Sequence, residues 1–122
     1  MKIKTSELIG RQLDSAVALA HGWELENYGW WKIDRGPNGG QLCYSQGRVG
    51  EFSPSTNWAQ GGPLIERECI ELVPSLGGSL WYAESIDRKA RAEACPTPLI
   101  AAMRCLVASR LGDEVDIPEE LT

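Results

Sequence analysis

The side chains best equipped for chemistry are one histidine, His21, and four cysteines, Cys43, Cys69, Cys95 and Cys105. A structural zinc centre needs four ligands, usually presented as closely spaced pairs. No two of these cysteines stand in CxxC spacing. A site would have to gather all four thiolates, or three thiolates and the imidazole, from distant positions, so no metal and no cofactor is expected. Cys105 lies in an apolar run and reads as a small buried hydrophobe. A catalytic histidine needs a nucleophile or a carboxylate beside it, and no GxSxG elbow marks one. The GxxxxGK[ST] phosphate loop, GxGxxG, HExxH and calcium-loop spacings are all absent. Nothing singles out a pair among the 17 acidic residues. The expectation is a protein without catalytic residues.

One stretch could still bind something. Residues 53–67 read SPSTNWAQGGPLIER. Ser53, Ser55 or Thr56 can cap a helix, but Gly61 and Gly62 each weaken a helix interior by about 1 kcal/mol and Pro63 by about 3 kcal/mol. Two designs satisfy these residues. A turn over 55–60 can precede a helix beginning at Pro63, or one helix can run through with a kink near Gly62. Glycine lets another group come close. Ser55, Thr56, Asn57, Trp58, Gln60, Gly61 and Gly62 are therefore the candidate contact residues for a ligand or partner. The alternative is that the glycines make room for a bulky side chain of the chain itself, with Trp81 as the candidate and with Trp58 and Ile65 pointing inward. A second candidate is aromatic. Trp23, Tyr28, Trp30 and Trp31 could form a base-stacking or partner surface, or close over the core.

The elements that must position these residues follow from periodicity. Thr5 or Ser6 should cap a helix reaching about Ala20, with Ile9, Leu13, Ala16, Val17 and Ala20 on its apolar face. His21 then sits at the helix end, where a cation is favoured, and Gly22 closes it. Residues 23–52 are glycine-rich, with extended pieces at 30–34 and 41–45 and a hairpin across GPNGGQ. Glu66, Arg67, Glu68 and Glu71 read as a solvated helix face. Strands are expected at 70–73, 79–86 and 89–94, the last alternating Ala90, Ala92 and Ala94 inward against Lys89, Arg91 and Glu93. Thr97 and Pro98 open a last helix carrying Leu99, Met103, Leu106, Val107 and Leu111, which Gly112 ends. The order predicts an α+β domain: an antiparallel sheet of three or more strands packed with about three helices in a layered α/β/α-like sandwich. Residues 1–112 are expected to form the single domain and 113–122 an acidic C-terminal tail with a mobile tip.

Bulk properties narrow the partners. The 122 residues suit one domain that buries a core without disulfides. The net charge of −5 resides in the tail, where Asp113, Glu114, Asp116, Glu119 and Glu120 stand without a base, and the 12 basic residues of the body meet equal acids. A neutral body disfavours duplex nucleic acid and anionic membrane surfaces. Met1-Lys2-Ile3-Lys4 is followed by no long apolar region, so neither a secretory signal nor a membrane span is expected. Unpaired cysteines fit a reducing compartment.

Three blocks carry a resemblance. KIKTSEL with LDSAVALAHGW, SPSTNWAQGGPLIERE, and PTPLIAAMRCLVASRLGDEV together span about half of the chain. They look like the NinX-like group of phage and prophage proteins, named after an open reading frame in the nin region of lambdoid phages. The pattern is also similar to short phage proteins described as α-β-α sandwich domains. The region 25–52 does not share in the resemblance. The resemblance implies a phage or prophage accessory protein in the cytoplasm of a bacterial host. It supplies no catalytic residue, substrate or cofactor. The leading expectation is a non-enzymatic protein-binding or adaptor protein that acts on a phage or host protein, with self-association into a homo-oligomer as a related outcome. The alternatives are a small-molecule or nucleotide-binding protein using the 55–62 turn, with an enzyme of unrecognised type included, and a weak single-stranded nucleic-acid binder using the aromatics with Lys32, Arg35 and Arg48.

Overall fold

The computed structural model describes residues 1–21 and 53–117 in full and, between them, the backbone of three strands at 24–26, 30–33 and 42–44. The class is α+β. The elements run β1 (Lys2–Lys4), α1 (Gly10–Ala20), β2 (Glu24–Glu26), β3 (Trp30–Ile33), β4 (Leu42–Tyr44), α2 (Trp58–Glu68), β5 (Glu71–Ser75), β6 (Leu80–Glu84), β7 (Arg91–Cys95), α3 (Pro98–Leu111) and β8 (Glu114–Asp116).

The last helix, α3, is the centre. Thr97 caps it by accepting the Ile100 N–H at 3.1 Å, and Pro98 occupies the first turn, as the sequence indicates. Leu99 to Met103 and Cys105 to Val107 are all buried, which leaves almost no solvent face. A helix apolar on every side belongs inside a fold. The expected single stripe was too narrow, and its last member, Leu111, is 38 % exposed. Burial also pushes the Cys105 thiol up to about 11.

On one side of α3 lies the antiparallel meander β5–β6–β7. It presents Leu72, Trp81, Ala83, Ala92 and Cys95 to the core. On α3 itself pack α1 and α2. Among the described residues the layers therefore run sheet, α3, then α1 and α2, with the helices to one side of this sheet. Three helices with an antiparallel sheet make the expected α+β arrangement. The third strand departs from its expected alternation. Ala90 and Ala92 are buried, but Ala94 is exposed, with φ at +52°. One extra residue stands in β7 between the pairs Ala83–Ala92 and Trp81–Cys95. This bulge turns Cys95 inward in place of Ala94.

The chain ends meet. Lys2, Ile3 and Lys4 pair with Asp116, Val115 and Glu114. The Met1 amine donates to Asp116 Oδ1 and to the Ile117 carbonyl, both at 2.9 Å. Val115 and Ile117 are buried. Residues 114–117 thus pack against the chain start, their acids alternating with apolar residues at strand period. Residues 118–122 lie outside the described residues. Thr5 does not cap α1. It sits in a 3-10 turn, Thr5–Glu7, and its hydroxyl donates to the Gly112 carbonyl at 2.6 Å. Leu8 is fully buried, and Ile9, expected inward, is 52 % exposed. The helix starts only at Gly10.

The strands β2, β3 and β4 form a separate antiparallel sheet, with Trp31, Lys32 and Ile33 opposite Tyr44, Cys43 and Leu42. The expected hairpin pairing is present, although its GPNGGQ connection lies outside the described residues.

The stretch 53–67 takes the single-helix design: α2 runs through Gly61, Gly62 and Pro63. Pro63 can give no N–H to the Ala59 carbonyl, but Ala59 is exposed, so water can serve that group. The room at Gly61 belongs to neither a tryptophan nor a ligand. A Cβ there would stand 2.4 Å from the Pro54 carbonyl oxygen and 2.6 Å from Leu99 Cδ2. At Gly62 the nearest atom would be Trp58 Cε3, at 4.0 Å. Gly61→Ala should therefore destabilise by roughly 2 kcal/mol, as overpacking does. Gly62→Ala should be neutral or gain about 0.5 kcal/mol through the unfolded state. Urea denaturation of the two variants separates these positions.

Candidate functional site

The residues singled out in 53–62 come together, mostly to build the start of α2. Ser53 to Thr56 form a turn closed by the Thr56 and Asn57 N–H groups on the Ser53 carbonyl, at 3.1 and 2.9 Å. Asn57 is the cap, its Oδ1 accepting the Ala59 N–H at 2.9 Å. Gln60 reaches back to accept the Ser53 N–H at 2.6 Å. Ser55 is buried: its N–H donates to Asp14 Oδ1 at 2.9 Å, tying the turn to α1, and its hydroxyl has no partner among the described residues. Gly61 is filled as described. Thr56 and Asn57 face solvent, and Gly62 is half-buried. Trp58, expected inward, is 54 % exposed; the buried positions of this helix are Gly61 and Leu64, and the buried Pro54 fills the space beside its first turn. Trp81 is also no partner of the glycines: its indole N–H donates to the Gly78 carbonyl at 3.1 Å. Of the other aromatics, Trp23 and Tyr28 lie outside the described residues, and Trp30 and Trp31 are described only as positions on β3.

His21 is not the cation expected at the end of α1. Its Nδ1 donates to the Val17 carbonyl at 2.8 Å, and its Nε2 accepts from Arg67 Nη2 at 2.6 Å. Burial first, then the Arg67 and Arg110 charges, hold its pKa below the usual value, against the Val17 bond. The neighbouring Glu68 pairs with Arg110 of α3. The charge run read as a solvated face thus spends Arg67 and Glu68 on joining α2 to α1 and α3.

Among the described residues, the outer face of β5–β6–β7 exposes apolar side chains. Val73 and Tyr82 stand opposite each other across the strands and are 46 % and 37 % exposed. Around them lies a charge network. Glu84 accepts from Arg91 at 2.7 Å and also pairs with Arg88, which reaches Glu71 at 3.7 Å. The hydrogen bonds from Arg91 and then Arg88 hold Glu84 below the ordinary carboxylate range. Arg91 also meets Glu93 at 3.6 Å. A shallow hollow of about 240 Å³ lies among Glu71, Val73, Tyr82, Glu84, Arg91 and Glu93. Among the described residues, each ion lining it has a partner in place. Val73 and Tyr82 lie in the strands expected at 70–73 and 79–86, and an apolar pair set outward among charges is the sequence signal for this face. Among the described residues no group of three or more His, Cys, Asp or Glu could hold a metal ion. No helix among them is long and apolar enough to cross a membrane.

This is a small α+β protein. The family described as Bacteriophage P22, NinX matches residues 4–110, nearly the whole chain, and the protein belongs to that family of phage-encoded accessory proteins. Comparison with curated proteins gives no match.

The His21 geometry sets a pH dependence. With a folded pKa below the unfolded one, the unfolded chain takes up the proton first, so stability is complete above about pH 6.5 and falls as pH drops through the interval beneath it. His21→Gln should flatten that interval in denaturation midpoints measured from pH 7.5 to 5.

Proposed function

We propose that this protein is a non-enzymatic adaptor that binds a phage or host protein in the cytoplasm of the infected bacterium. The observation that carries this reading is the outer face of β5–β6–β7, where Val73 and Tyr82 lie exposed inside a ring of paired charges. Protein interfaces have this anatomy, an aromatic and aliphatic centre with a polar rim. Trp58 adds a second exposed aromatic at the start of α2. The family setting supports a partner encoded by the phage or its host. Self-association through the same face is the related reading.

A photo-crosslinking side chain placed at Tyr82, with a control at exposed Ser109 of α3, tests this in infected cells. The expected result is one discrete adduct from position 82 and none from 109. Tyr82→Asp, combined with a crosslinker at Val73, should abolish the adduct while stability changes by only about 0.5 kcal/mol, as for a surface site. An adduct of twice the chain mass identifies the partner as a second copy. No adduct, or equal adducts from both positions, overturns the reading.

A further inference from the structure

A second, deeper hollow lies where the chain start, β7 and α3 meet. It has a volume of about 430 Å³, the scale of a metabolite site. Its chemistry centres on Arg104, from the middle of the buried helix. The Arg104 side chain is half-buried and held from two sides. Its Nε donates to the Leu8 carbonyl at 2.8 Å, and its Nη1 points to Cys95 Sγ at 3.5 Å. Both supports come from local departures in the chain: the break after the 3-10 turn exposes the Leu8 carbonyl, and the β7 bulge turns Cys95 inward. Nη2 has no acceptor among the described residues.

No carboxylate among the described residues stands within ion-pair distance of Arg104. The contrast with Arg88, Arg91 and Arg110 is plain, since each of those holds a glutamate. A guanidinium withdrawn from water and left without a counter-charge is unfavourable. One already fixed in orientation loses little entropy when an anion arrives. The walls of the hollow specify more. Lys4 and Arg91 line it, and so do Glu93, Asp113 and Glu114. With Arg104 the charges balance, so the hollow does not suit a polyanion. Ala92 and Ala108 give it an apolar side.

We propose that this hollow binds a small amino-carboxylate, a free amino acid or a molecule of that class. Its carboxylate takes the open donor of Arg104, its ammonium group faces Asp113 and Glu114, and an apolar side chain rests on Ala92 and Ala108. The hollow is distinct from the face around Tyr82, although Arg91 and Glu93 border both.

The test is titration of the isotope-labelled full chain, followed by amide NMR shifts at low salt. The probes are leucine, 4-methylpentanoate, 3-methylbutylamine and inorganic phosphate, each to about 10 mM, a range that covers millimolar affinity. Leucine should give saturable shifts confined to residues 4–6, 91–95, 104–108 and 113–114. 4-Methylpentanoate should bind about tenfold or more weakly, as loss of one charged contact implies, and the amine and phosphate should not saturate. Arg104→Met should abolish the leucine shifts. Because Arg104 also supports Leu8, a second variant, Ser6→Trp, blocks the mouth from an exposed residue and should do the same with the thermal midpoint unchanged. Absence of saturable leucine shifts overturns the proposal, as does phosphate binding as tightly as leucine, or shifts that survive in both variants. Crosslinking from position 82 is unaffected by any of these outcomes.

Discussion

The structure depends on the burial of α3 on every side. The stretch from Leu99 to Val107, buried at every position but Arg104, cannot rest against one layer and face water with the other. The sheet covers one side, and α1 and α2 cover others. Helix propensity alone does not make such a segment stable in water; its packing does. The neighbours hold the helix through few but specific polar links. Arg110 reaches Glu68 of α2, the Cys105 thiol lies 3.6 Å from the Ala90 carbonyl beside β7, and Arg104 holds the Leu8 carbonyl.

Much of this scaffold was legible in the sequence, because it rests on local chemistry. Thr97-Pro98 announces the start of α3, and Gly112 its end. The meander β5–β6–β7 follows from alternation and from the glycine turn after Ser75. The α+β class follows from that order. What escaped were long-range demands on locally ambiguous residues. Thr5 looks like a helix cap, but its hydroxyl is claimed by Gly112, 107 residues away. Ala94 continues the alternation of Ala90 and Ala92, but a bulge reverses it. The acids at 114 and 116 masked a strand that needs β1 as its partner.

The candidate sites divide in the same way. Asn57 and Gln60 were recognisable as polar residues with a task, and that task is closing the turn onto α2. The exposure of Trp58 was not legible, because its spacing from Gly61 places both on one stripe, and only the buried Pro54 distinguishes them. The significance of Arg104 was hidden as well. An arginine within an apolar helical run reads as a snorkelling surface residue. Its fixed orientation and missing carboxylate emerge only when Leu8 and Cys95 are brought beside it.

The two adjacent glycines of α2 therefore record different things about relatives of this chain. At position 61 the obstacle includes a backbone carbonyl, which no exchange of side chain at 54 or 99 can remove. Invariance there would report geometry and carry no news of activity. At position 62 a side chain has space. If lineages keep glycine at 62 as strictly as at 61, the cause must lie outside the fold, in something that approaches α2 beside Trp58. The neighbouring position thus serves as an internal control for reading selection in this family.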